Sequence, residues 1–149
     1  MAKVNLVHVP YKGSAPSFQD LLGGQVSLTF DSLVQALPYV RDKRLNALAV
    51  LGAARSPLLP EVPTVAESLP GYELTNWFGL VVPAAVPGAV VGRIHADAVK
   101  VLQDAGVSER LSTMGATAVG NTPEQFGRAM RADSEKWGRL IREANIRAE

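Results

Sequence analysis

The sequence predicts an α/β fold, and three observations carry that expectation. Short β-rich runs at residues 4–9, 26–30, 45–51 and 74–83 alternate with stretches whose apolar residues recur at helical spacing. The run Leu45-Asn46-Ala47-Leu48-Ala49-Val50-Leu51 is almost continuously apolar, as a strand covered on both faces requires. Glycines and prolines stand at the joints, at Pro10, Gly13, Gly23-Gly24 and Gly52. Strands and helices in alternation imply a mostly parallel sheet.

Residues 4–9 form the first β-rich run, stopped by Pro10. Tyr11-Lys12-Gly13 is a turn, because glycine accepts backbone angles that other residues avoid. A short helix follows, with Pro16 tolerated in its first turn and Phe18, Leu21 and Leu22 on its apolar edge. Gly23-Gly24 ends it, and Val26-Ser27-Leu28-Thr29-Phe30 alternates with period two. Asp31-Ser32 then offers side-chain oxygens to cap the next helix. Leu33, Val34, Ala36, Leu37 and Val40 have helical spacing, but Pro38 predicts one turn and then a second short helix. The charged run Arg41-Asp42-Lys43-Arg44 reads as a solvated helix end.

Residues 52–71 hold Pro57, Pro60, Pro63 and Pro70, so they read as a long ordered loop. One short helix is expected in it, capped by Thr64 with Glu67 three residues on. Residues 74–83 make a strand centred on Trp77-Phe78-Gly79. Pro87 opens a helix with Val90, Ile94, Val101 and Leu102 on one face, and Gly106 is expected to end it. Residues 108–114 give a short helix closed by Gly115, and Thr117-Ala118-Val119 a short strand. Thr122-Pro123-Glu124-Gln125 starts the longest helix, whose stripe includes Phe126, Met130 and Trp137, the last read as core.

At 149 residues the chain has room for one domain or two small lobes. Lys+Arg number 15 and Asp+Glu 14, a net charge of +1, which leaves no nucleic-acid or membrane-surface footprint. Zero cysteines exclude disulfides and a thiolate nucleophile. No apolar run approaches the roughly 20 residues that cross a bilayer, and the N-terminus lacks the long apolar core of a signal peptide. His8 and His95 lie on unrelated elements, so no paired metal site is expected, and no serine sits in a nucleophile elbow. The pattern implies no catalytic residue, metal or cofactor.

The candidate residues are those of a binding site. In an open α/β sheet ligands sit where strand ends hand over to loops. That places Tyr11, Lys12, Gly13 and Ser14 in one group and Phe30, Asp31 and Ser32 in another. Lys12 is either a solvated lysine or a source of positive potential for an anion, with Gly13 and Ser14 amides as direct donors. Tyr11 either closes over a ligand or is half-buried in its lobe. Asp31 either caps the helix behind it or takes a ligand amine or bridging water. Trp77 and Phe78 are either core or the wall of a cleft.

The strings HVPYKG, DLLGGQV and TFD, then LNALAVLGAARSPLLPEVPTVAESLPGYE, WFGLVVPAAVP and WGRLIREANI, occur in that order. Together they resemble the solute receptors of tripartite tricarboxylate transporters, the Bug receptors. The resemblance implies the C-terminal half of a type 2 periplasmic binding protein, because such receptors are roughly twice this long. Residues 4–50 would belong to the second lobe, 51–73 to a connecting loop and 74–149 to the first lobe, with hinges at 49–52 and 76–79. It further implies capture of a small organic anion, a di- or tricarboxylate or an acidic amino acid, for membrane permease subunits. The implied location is periplasmic, and self-association is expected where a half receptor stands alone. An effector-sensing two-lobed regulatory module is the alternative.

Overall fold

The computed structural model describes residues 4–146. Its elements are α1 (Ser14–Leu22), α2 (Leu33–Arg41), α3 (Val65–Ser68), α4 (Gly88–Leu102), α5 (Ala105–Thr113) and α6 (Pro123–Glu143). The chain divides into two compact units. One holds the residues up to Leu80 together with Glu109–Thr117; the other holds Val81–Ser108 and the residues from Ala118 on.

The first unit carries the buried core. Leu37, only 2% exposed, packs with Leu59 and Val62, and Leu33, Val40, Ala47, Val50 and Leu58 close around them. Helix α2 runs unbroken through Pro38, where two short helices were expected. Proline deprives one carbonyl of its helical donor, but it is exposed, and breaking the helix there would lift its neighbour Leu37 from the core. The charged run after it leaves the helix at Arg41, and Lys43 adopts a left-handed φ of 57°.

The proline-rich loop is ordered by a polar clasp. Arg55 donates from Nε and Nη2 to the two oxygens of Glu67 at 2.8 and 2.6 Å, and from Nη1 to the Pro60 carbonyl at 3.1 Å. Glu67 also accepts from the Thr64 amide at 2.9 Å, while the Thr64 hydroxyl accepts from the Glu67 amide at 3.3 Å, forming the expected capping box of α3.

Among the described residues the expected strands form no ladder. The structure has one isolated parallel bridge, Val50 to Thr64, built by Val50 N–H donating to Pro63 and Val65 N–H donating to Val50. Leu74 N–H donates to the Leu51 carbonyl at 2.9 Å. Residues 4–10, 26–31, 75–82 and 117–119 have no secondary structure. Their apolar pattern encodes burial, but a strand exists only where a second backbone meets its amides and carbonyls.

In the second unit, α4 and α6 have no fully buried residue among those described. Gly120, at φ 62°, lies where an added Cβ would meet Val99 and Leu102 at 3.6 and 3.8 Å, and His95 Nε2 is 3.2 Å from the Asn121 carbonyl oxygen. Helix α6 begins as expected, with Thr122 and Gln125 completing a capping box. Trp137 is not core: it is half-buried with the Lys136 ammonium 4.6 Å from its ring centre. Helix α4 stops at Leu102, and Gly106 lies inside α5, because the Asp104 carboxylate accepts from the Val107 amide and starts a new helix earlier than expected.

The hydrogen bond from Arg55, then that from the Thr64 amide, lowers the Glu67 pKa from 4.5 to about 2. A depressed folded-state value means that the clasp stabilises the unit above pH 4.5 and loses that contribution as the carboxylate protonates towards pH 2. Urea unfolding of wild type and Glu67→Gln will therefore differ at pH 6 and converge near pH 2. A gap that stays constant across that window contradicts the clasp.

Candidate functional site

All the site residues expected from sequence fall in the first unit. Gly13 precedes α1 at φ 107° and ψ 176°, a region open essentially to glycine. An added Cβ would meet nothing within 4 Å, so backbone conformation, not crowding, demands glycine there. No side chain caps α1 and no acidic residue occupies its first turn. Its leading amides therefore keep their donor capacity and the positive end of the helix dipole.

Helix α2 begins the same way. Ser32 is its N-cap, at φ −70° and ψ 142°, yet its hydroxyl makes no capping bond and the first turn is free of acid. The Ser32 Oγ is buried and has no hydrogen-bond partner among the described residues. Asp31 does not cap the helix amides: its Oδ1 accepts from the Ser32 N–H at 2.7 Å. Gly115, at φ 85°, lets the end of α5 approach so closely that an added Cβ would stand 3.0 Å from Leu33, the first residue of α2.

Two contacts bring the residue groups 11–14 and 30–32 onto one pair of helices. Ser17, early in α1, shares a 3.2 Å hydrogen bond with Thr29, just ahead of Phe30. Phe18 of α1 stacks on Tyr39 of α2 with ring centres 5.1 Å apart, and the Arg44 guanidinium lies 5.5 Å from the Tyr39 ring centre. Tyr11 is half-buried, its hydroxyl donating to Asp20 Oδ2 at 2.7 Å. That bond to a carboxylate raises the Tyr11 pKa above 10.0 and commits the hydroxyl proton. Lys12 is exposed beside it. Trp77 and Phe78 are 43% and 80% exposed, so they do not belong to the buried core.

Sequence reasoning missed the Ser17–Thr29 bond and the orphaned Ser32 hydroxyl. It also missed an open groove of about 340 Å³ lined by Val40, Lys43, Leu45, Asn46, Ala47, Glu61 and Val62. Among the described residues no group of three His, Asp or Glu side chains converges, and no helix is long and apolar enough to cross a membrane.

The backbone is similar to that of solute receptors. It matches Rpa4515 of R. palustris, solved with adipate, at a TM-score of 0.91 and 34% identity, over 97% of this chain and 49% of that one. It matches the periplasmic binding protein BugD at 0.88 and 32%, over 98% and 50%. MatC of Rhodopseudomonas palustris, with bound malate, matches at 0.81 and 30%, over 93% and 49%. In sequence, a protein in the tcbD-tcbE intergenic region of Pseudomonas sp. (strain P51) is 38% identical over 99% of this chain and 44% of its own length. The fold class is thus that of a periplasmic solute-binding protein, present here in part. The chain belongs to the tripartite tricarboxylate transporter family receptors, whose model matches residues 1–146. It spans about half the length of these relatives.

Because the Ser32 hydroxyl is buried and bonds nothing among the described residues, Ser32→Ala will raise stability by about 1–3 kcal/mol, whereas removing a capping serine that bonds its helix would lower it by about 1 kcal/mol. Urea denaturation measures the difference; a loss of a full capping bond would show that the hydroxyl caps α2 after all.

Proposed function

We propose that this chain is part of an extracytoplasmic receptor that holds a small organic anion and passes it to the permease subunits of a tripartite tricarboxylate-type transporter. The observation that carries the reading is the pair of uncapped, acid-free helix starts at Gly13 and Ser32, set on helices that pack together. A carboxylate is the natural partner for such amides, since its charge faces two positive helix ends and its oxygens meet unfilled donors. The adipate and malate held by two structural neighbours belong to the same chemical class. The anion expected is accordingly a di- or tricarboxylate, or an acidic amino acid.

Each residue then has a role. The Gly13 and Ser14 amides and the Ser32 hydroxyl donate to a carboxylate, and Asp31 acts through a bridging water, because two carboxylates repel. Lys12 supplies positive potential from the rim. The Tyr11 ring, Phe30, Trp77 and Phe78 give apolar walls to the ligand's carbon chain. Hinge positions at 49–52 and 76–79 would let the lobes of a complete receptor close; the second lies next to the boundary between Leu80 and Val81. The location this implies is the periplasm.

Calorimetry on the chain assembled with the rest of a receptor of this family, against adipate, malate, citrate and glutamate, tests the reading. At least one should bind, and Ser32→Ala should weaken it about tenfold, the value of a hydrogen bond to a charged group. Lys12→Ala should chiefly slow association and flatten its salt dependence. No heat with any of the four contradicts the proposal, and unchanged kinetics at low salt return Lys12 to plain solvation.

A further inference from the structure

Helix α6 carries a repeat. Gly127-Arg128-Ala129-Met130-Arg131 recurs eleven residues on as Gly138-Arg139-Leu140-Ile141-Arg142. At about 3.6 residues per turn that interval is about three turns, so the two copies share one face roughly 16 Å apart. All four arginines are exposed. The apolar residues Phe126, Met130, Trp137 and Ile141 fall on the opposite side of the helix. Whatever covers that apolar side leaves the arginine face outermost.

Each copy also sets its last guanidinium in a particular place. An added Cβ at Gly127 would stand 3.6 Å from Arg131 Nη1, and one at Gly138 3.4 Å from Arg142 Nη1. Both guanidiniums therefore lie back over the bare turn that a glycine provides four residues earlier. Glycine is a poor helix former, so propensity does not account for two of them inside α6. Arg131, Arg139 and Arg142 enter no ion pair among the described residues. Arg128 only helps, after the Glu124 amide and Thr122, to hold the Glu124 carboxyl below its usual range. Glu135 lies between the two copies on the same face, so the charge order along the helix is positive, negative, positive.

We propose that this face of α6 is a docking strip for an acidic helical segment of a partner protein. Its carboxylates pair with Arg128 and Arg131 at one end and with Arg139 and Arg142 at the other, and a basic residue midway meets Glu135. Guanidinium groups suit this task because each can grip a carboxylate with two parallel hydrogen bonds. Those already laid against the helix lose less freedom on binding. The charge order disfavours other occupants. A second copy would set arginine against arginine in either direction, because both ends of the strip are positive. A membrane surface would meet Glu124 and Glu135 within the strip, and a net charge of +1 supplies no broad positive field. The strip lies in the second unit and the residues of the carboxylate reading in the first, so the two proposals stand independently.

The test titrates the full chain with a synthetic alanine-based helix that bears two glutamate pairs about three turns apart and a lysine midway. Amide chemical shifts and calorimetry at low salt follow the binding. Shifts should concentrate on α6 between Gly127 and Arg142, and affinity should fall as salt rises. Arg131→Gln with Arg142→Gln should weaken binding about tenfold, and Arg131→Lys with Arg142→Lys about threefold, since charge survives there but the two-bond grip does not. Helical circular dichroism should be unchanged in both, because these side chains are exposed. No binding of the spaced peptide overturns the proposal. Equal binding by a peptide of the same composition with its glutamates spread round the helix does so too, since net charge alone then suffices. So does binding to phosphatidylglycerol vesicles that the double glutamine variant abolishes while the peptide leaves α6 unmoved, since the strip then serves a lipid surface.

Discussion

The candidate site depends on the packing of α1 against α2, and that packing centres on the stack of Phe18 on Tyr39. Phe18 is buried, and the Arg44 guanidinium, just past the end of α2, lies 5.5 Å from the Tyr39 ring centre. A stacked ring pair contributes about 0.5–1.5 kcal/mol beyond the area it buries. Its larger effect is geometric. The two helices lean on each other through it, Ser17 reaches Thr29, and the starts of both helices belong to one rigid framework.

That framework leaves two sets of backbone donors without side-chain caps, which a protein normally avoids. Elsewhere in the same chain Thr64 and Thr122 each complete a capping box. The contrast matters because the chemistry for capping is present at Ser32 and is not used: the hydroxyl is buried and unpaired instead. A buried polar atom without a partner carries a cost of about 1–3 kcal/mol, which an arriving acceptor would relieve. The stabilising work is done away from the site, by the Leu37 core and by the Arg55–Glu67 clasp that shapes the proline-rich loop.

Much of this was legible in the residues. Gly13 as the special-backbone opening of α1, the Thr64 and Thr122 boxes, and the glycine stop at Gly23 all follow from local rules that need only a few neighbouring residues. The failures are where a local rule met a tertiary demand or a missing partner. Pro38 should break a helix, but the burial of Leu37 keeps α2 whole. Gly106 should end one, but Asp104 begins the next before it. Trp137 has the spacing of a core residue, yet α6 buries none of its described residues fully. Residues 4–9 and 45–51 read as strands because their composition suits a sheet interior, and composition says nothing of where the adjoining backbone comes from. Within the site, the residue groups 11–14 and 30–32 were predicted from their place after β-rich runs. The idle Ser32 hydroxyl was not, because its partnership depends on rotamer and burial rather than on sequence spacing.

The central claim is that the α1 and α2 starts act together on one anion. Amide chemical shifts of Gly13, Ser14 and Leu33, followed in the assembled receptor as malate is added, test it most directly. The account predicts that all three move on a single saturation curve, since one carboxylate ligand fills donors at both helix starts. Shifts confined to one helix start, or saturation with these three amides unmoved, would contradict it.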